Sequence, residues 1–560
     1  MGLKKRVYER SEYDANSRAM LRRFEPVTRV LPAGFQVDPR FRSLPVDVVF
    51  EKDVAVSMRD DVTIFVDVFR PAGAEKVPVI VAWDPHGKSR GTLSSVADPH
   101  PSGPKSAALS ALVTFDGPDP AYWCSQGYAI CTSDPRGIAQ SDGDSVMFGR
   151  QEGMDCHDLI EWLAEQDWCS GKVGMSGISY LAVAQWFAAA EQPPSLAAIH
   201  PQEGFSDVYR DLVLRGGIPD TGAAERLQKH AYAGDNRRED ILTEAARYPL
   251  INELWEDKIP RFDRIAVPAY VVAGYSNPAH AAGTFRAWRN IASAEKWLRI
   301  HHTQPRQDYH DETNTAELRR FFDHYLKGAD NGWQNTPRVR HGVRDLRGGG
   351  CLDLAAQHYP PEDVTCTRFY LDARSHSLNT ELPTATARTA YDAESKPGQA
   401  SFTIRFDEGI TLVGYPKVHL WVETEGADDM DLFVLVRLLG RQDTSELGGR
   451  ALRYTGSAGR LRVSRRHLDE VQATDTVPAH SFDRVEKLIP GVVVDVEIDL
   501  PPVGLTLGPG EFLRLVVSAD PSLGAVTPGT RGLDSHNTGR HVIHTGGARA
   551  SYLQLPIRPA

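Results

Sequence analysis

Nowhere in the chain do about 18 apolar residues run together, so no segment reads as a membrane-spanning helix. The opening MGLKKRVYERSEYDANSRAML has early basic residues but no apolar core, and does not read as a secretory signal. Cysteine is scarce: Cys124, Cys131, Cys156, Cys169, Cys351 and Cys366 are the six in 560 residues, and none forms a C-x-x-C pair. That usage fits a reduced, cytoplasmic protein. Positive charge is also short. The 63 Lys and Arg against 74 Asp and Glu leave a net charge of -11, and no basic stripe with interleaved aromatics occurs. Nucleic acid and an anionic membrane surface are therefore not the expected partners. His301, His302, Asp308 and His310 lie close together but match no metal-ligand spacing, so no metal is expected. Gly87-Lys88-Ser89 follows an apolar run, yet the first glycine of a phosphate-binding loop would fall on Ala82. Without it the backbone cannot cradle a phosphate, and no nucleotide cofactor is expected.

What is present is an ordinary globular composition, 41% hydrophobic and 24% charged, on a chain long enough for several domains. Residues 1–45 read as an irregular lead-in. Alternating apolar and polar residues over 46–70 predict an antiparallel hairpin. From Val77 onward buried apolar runs alternate with helical spacing: Val77–Trp83, Tyr128–Ser133, Gly153–Glu165, Val173–Met175 and Leu196–His200, resuming at Ala269–Gly274, Ala281–Ile291, Lys296–Ile300 and Ala316–Leu326. This predicts an α/β domain with a mostly parallel sheet, built from 46–204 and 263–335. Residues 205–262 interrupt it with charged, helix-like sequence and read as an inserted helical cap. From 336 to 560 short β-rich runs between Gly, Pro and Asp clusters predict an all-β sandwich of jelly-roll type. No internal repeat occurs.

The chemistry concentrates at Gly171–Ala190, GKVGMSGISYLAVAQWFAAA, where a strand turns sharply into a small-residue helix at Ser179. Such a turn presents a serine oxygen above the sheet and aims the first helical N–H groups at it. A serine nucleophile needs a base and an orienting acid from later strand ends. The strand ending at His301-His302 offers the base, His301 first and His302 second. At the preceding strand end, where an acid is expected, stands Asn277. An amide can orient a histidine but cannot balance an imidazolium, so Asp308, Glu203 and Asp207 are candidates for the missing charge. The Tyr180 N–H and His86, in the loop after the first apolar strand, are the expected oxyanion donors.

With these residues in view, the chain resembles the cocaine-esterase and glutaryl-acylase hydrolases of the CocE/NonD family, relatives of the X-prolyl dipeptidyl-peptidases. Gly177-Ile178-Ser179-Tyr180 is similar to the family's G-x-S-Y, Asp134-Pro135-Arg136-Gly137 to its D-x-R-G, and FFDHYLKG at 321–328 to its closing helix. Met58-Arg59-Asp60, Phe69-Arg70-Pro71, LGPGEFLRLVVSADP and His536-Asn537-Thr538-Gly539 extend the likeness to the C-terminal part. The resemblance implies an α/β-hydrolase domain with a helical cap and a jelly roll, cleaving esters or amides through an acyl-serine without a cofactor. Three positions depart from the family: Ala182 replaces a glycine, Pro85-His86 replaces P-Y, and Asn277 aligns with the acid of G-W-x-D. The expectation is a serine hydrolase acting on a small-molecule ester or amide. Its rivals are an X-prolyl dipeptidyl-peptidase-like or amino-acid-ester hydrolase, and a degenerate hydrolase serving as a binding protein. Homo-oligomer formation stays open.

Overall fold

The computed structural model describes residues 10–11, 24–73, 75–88, 106–225, 234, 236–345, 347, 350–441, 457–520, 535 and 537–559. Ser89 of the Gly-Lys-Ser segment, His536 of the C-terminal motif and parts of the lead-in and of 205–262 lie outside them. The alternating segment forms the expected hairpin, β1 (Val48–Ser57) against β2 (Thr63–Pro71). The apolar runs form β3 (Val77–Trp83), β4 (Ala129–Asp134), β5 (Cys169–Ile178), β6 (Leu196–Gln202), β7 (Ala269–Gly274) and β8 (Lys296–His301). Buried on both faces, they lack alternation, as parallel strands between helices must.

The sheet runs β1-β2-β4-β3-β5-β6-β7-β8, with β2 antiparallel to β4 and every later neighbour parallel. Helix α1 (Arg150–Ala164) packs on α2 (Tyr180–Ala190) on one face, and α2 is buried at all 11 positions. Its alanines permit that close contact. On the other face, α3 (Glu312–Lys327) brings Phe321 and Phe322 against Trp123 and Trp333. Asp311 caps it by accepting the N–H groups of Thr313 and Asn314. A further helix, α4 (Ala281–Asn290), follows β7. Beyond β8 the sheet continues into the C-terminal part: β8 pairs in parallel with Val339–Asp345, which pairs with Val503–Leu507. That part is β-rich, with antiparallel pairs such as Asp431–Leu439 against Phe512–Ser518. No helix of the described residues is long and apolar enough to cross a membrane.

Lys88, the lysine of the Gly-Lys-Ser segment, is buried. Its Nζ pairs with Asp53 and lies 3.2 Å from Asp67 and 3.4 Å from Asp134, while its N–H donates to Asp134. One cation thus sits among three acidic side chains from β1, β2 and β4, tying the hairpin to the parallel sheet. Removing it would leave buried like charges. Lys88→Met should therefore cost about 3–5 kcal/mol, seen as a lowered thermal midpoint; an unchanged midpoint would remove Lys88 from the fold's supports.

Candidate active site

Ser179 sits between β5 and α2 with φ 58° and ψ -118°, a conformation that costs a non-glycine residue about 1–3 kcal/mol. Neighbours hold it there. Ile178 N–H donates to Asp116 O (3.0 Å), Ser179 N–H to Gln202 O (3.1 Å), and Ala182 and Val183 N–H to Ser179 O. Gly177 is required: with φ 153°, a Cβ on it would lie 2.5 Å from Leu181 Cβ.

The partner of Ser179 Oγ is His280, whose Nε2 lies 3.1 Å away. This histidine was not singled out from sequence, although it stands only three residues beyond Asn277, at the N-cap of α4. Two contacts place it. The ring stacks on Phe205 at 5.7 Å and 3°, and Phe205 N–H donates to Nδ1 at 3.3 Å. With Nδ1 accepting, the neutral ring carries its proton on Nε2 and donates it to the serine. Phe205 continues through Phe148 (4.9 Å) to Tyr180 (4.1 Å), an aromatic run that backs the serine turn. Burial lowers the His280 pKa from 6.5, and the nearby charge of Glu203 opposes that.

Glu203, one of the candidate acids, follows β6 with φ 51°. Its Oε1 is 2.9 Å from His301 Nε2, and its Oε2 accepts from Asn277 Nδ2 at 2.5 Å. Asn277 and His301 therefore meet on one carboxylate. His301 Nδ1 accepts the Thr303 N–H (3.2 Å), which leaves Nε2–H to face Glu203. Asp308 lies 3.6 Å from His301 Nδ1, but its oxygens are taken by Arg299, Thr303 and Gln202. Although burial would raise its pKa, the Arg299 charge holds the Asp308 carboxyl well below the usual carboxylate range. His302 points elsewhere, to Gly342 O at 3.3 Å, and burial lowers it to about 4. Asp207 pairs with Arg210 at 2.6 Å.

His86 is fastened by Asp84 Oδ1, 2.8 Å from Nδ1, and lies 4.5 Å from Phe115, the neighbour of the Asp116 whose carbonyl holds Ile178. The Tyr180 side chain lies against Phe148, tilted by 31°, and hydrogen-bonds Glu152. Among the described residues no cluster of His, Cys, Asp and Glu could hold a metal ion.

A serine on a strained strand-to-helix turn, facing a histidine over the carboxyl ends of parallel strands, is an arrangement that comparison with known proteins can place. A CocE/NonD family hydrolase from Staphylococcus aureus is 31% identical, with a TM-score of 0.87 over 95% of this chain and 97% of that one. This chain belongs to the CocE/NonD family of hydrolases. Residues 60–304 match the X-Pro dipeptidyl-peptidase (S15) family, and 331–554 the C-terminal non-catalytic domain of X-Pro dipeptidyl-peptidases. Cocaine esterase from Rhodococcus sp. (strain MB1 Bresler) is 26% identical over 409 residues, 60% of this chain and 65% of that protein. An α-amino acid ester hydrolase, 18% identical, shares the fold with a TM-score of 0.69 over 91% of this chain and 97% of that one.

The electrostatics of this family member's site have a direct readout. In histidine-labelled protein, His280 should titrate below 6.5 by NMR, and Glu203→Gln should lower it further by removing the charge that favours the imidazolium. A midpoint at or above 6.5, or a rise in the variant, would contradict this account.

Proposed function

We propose that the protein is a serine hydrolase that cleaves carboxylic esters or amides through an acyl-Ser179 intermediate. The observation that carries the reading is Ser179 Oγ, on a strained turn, 3.1 Å from His280 Nε2. The family's hydrolases, and the esterase and peptidase names of its relatives, support the reaction class.

In the proposed cycle His280 shifts to its Nδ1–H tautomer. This gives up the long Phe205 bond, worth about 1 kcal/mol, and frees Nε2 to take the serine proton. Oγ attacks the acyl carbon, the imidazolium protonates the departing alcohol or amine, and water repeats the sequence on the acyl-serine. Glu203 stabilises the imidazolium. Asn277 orients that carboxylate, His301 closes its other side, and Asp308 keeps His301 in place through Thr303. The Tyr180 N–H and His86 receive the oxyanion, His86 donating from Nε2 while Asp84 holds its Nδ1. Residues 205–262 form a cap that shapes the acyl pocket, and 336–560 a jelly-roll domain; no cofactor takes part.

Wild-type protein should hydrolyse p-nitrophenyl butyrate and be labelled at Ser179 by a fluorophosphonate. Ser179→Ala should abolish both, and His280→Ala should lower kcat about 10²–10⁴-fold. Because only the neutral ring accepts a proton, the acid limb of kcat/KM should have its midpoint below pH 6.5, the rate falling as pH drops through it. No hydrolysis and no labelling by wild type would end the proposal. Full activity in His280→Ala would return the base to His301.

A further inference from the structure

A cavity of 730 Å³ opens beside the site, walled by the loop after β7, α4, the 205–262 insertion and the C-terminal strands. Its lining includes five arginines, Arg210, Arg215, Arg286, Arg289 and Arg460, against two aspartates, Asp211 and Asp499. Three of the arginines are matched. Arg210 pairs with Asp207 (2.6 Å), Arg286 with Asp211 (2.7 Å) and Arg460 with Asp220 (2.8 Å). Arg215 is not. It is 9% exposed, its Nε donates to the backbone oxygen of Asp211, and among the described residues it forms no ion pair with a carboxylate. Burial, with Arg460 close by, pushes its pKa down to about 10 against the opposing charges of Asp220 and Asp211. Arg289, at the exposed end, lies over the Tyr415 ring at 4.9 Å. Burial raises the Asp499 carboxyl, against the opposing charges of Arg286 and Arg289.

The cavity comes up to the residue beside His280. Ala279, next to His280, lines it, and the charges of Arg215 and Asp211 are both felt at His280. Helix α4 carries His280 at its start and Arg286 six residues on, about 9 Å at 1.5 Å per residue. Arg215 thus lies within electrostatic reach of the histidine that faces Ser179.

We propose that this cavity receives a carboxylate on the substrate, so that the preferred substrates are esters or amides carrying a second, free carboxylate near the scissile bond. The guanidinium fork of Arg215 pairs with that carboxylate, and Arg289 guides it in. The same wall disfavours a substrate with a free ammonium group. This inference rests on the hydrolase reading but can fail separately from it.

The test compares p-nitrophenyl hemisuccinate with p-nitrophenyl butyrate, and follows monomethyl succinate binding to Ser179→Ala by calorimetry. Wild type should prefer the hemisuccinate. The ratio of the two kcat/KM values should fall at least about tenfold in Arg215→Gln, and severalfold in Arg289→Gln, which lies at the surface and should fold normally. Binding of monomethyl succinate should be lost when Arg215→Gln is added to Ser179→Ala. A ratio unchanged in folded Arg215→Gln and Arg289→Gln, or a wild-type preference for the butyrate, would overturn the assignment. If neither ester is cleaved and Ser179 is not labelled, the hydrolase reading falls. The titration then decides the cavity: Arg215-dependent binding upholds the assignment, and absence of binding refutes it.

Discussion

The backbone of Ser179, held at a positive φ that a serine avoids, is the constraint around which the site is organised. It is maintained by the register of β5 on β6. Ile178 stands opposite Gln202, whose carbonyl takes the Ser179 N–H, and the residue just past the end of β6 is Glu203, itself at a positive φ. One strand pairing therefore places both the serine oxygen and the buried carboxylate beside it. The absence of a Cβ at Gly177 and the Asp116 carbonyl complete the turn. Strain of this kind persists only where the surroundings over-determine it, and here strands, helix and loop all do so.

Glu203 explains the amide at 277. An aspartate there would press a second carboxylate against Glu203, in a place where only one can stay ionised cheaply. Asn277 instead donates to it, and His301 lies against its other oxygen. The negative charge expected at the end of β7 has moved one strand over, and the residue at 277 has become its hydrogen-bond donor. His280, at the head of α4, then occupies the space facing Ser179.

Charge in the interior is otherwise balanced with care. Lys88 sits among three aspartates, Arg299 holds Asp308, and Arg210, Arg286 and Arg460 each have an aspartate. Against that pattern Arg215 stands out, a buried guanidinium with a backbone carbonyl and no paired carboxylate among the described residues. Burying an unmatched charge costs stability, which is the physical ground for reading it as awaiting an anion.

The strand-turn-helix at Ser179, the buried parallel strands and the β-rich C-terminal part were all legible in the sequence. They rest on periodicity, glycine placement and backbone sterics among near neighbours, and β7 keeps the bounds read from its apolar run, Ala269–Gly274. Strand ends likewise marked the loops that carry Asn277, Glu203 and His301. Which imidazole touches Ser179 was decided only by the tertiary structure. His280 reaches it because α4 packs hard on the loop after β6, where a Cβ on Gly283 would come within 2.6 Å of Phe205 Cα, and because Phe205 stacks on the ring. Such contacts join residues some 75 positions apart. No local propensity encodes them, since they depend on how whole elements pack.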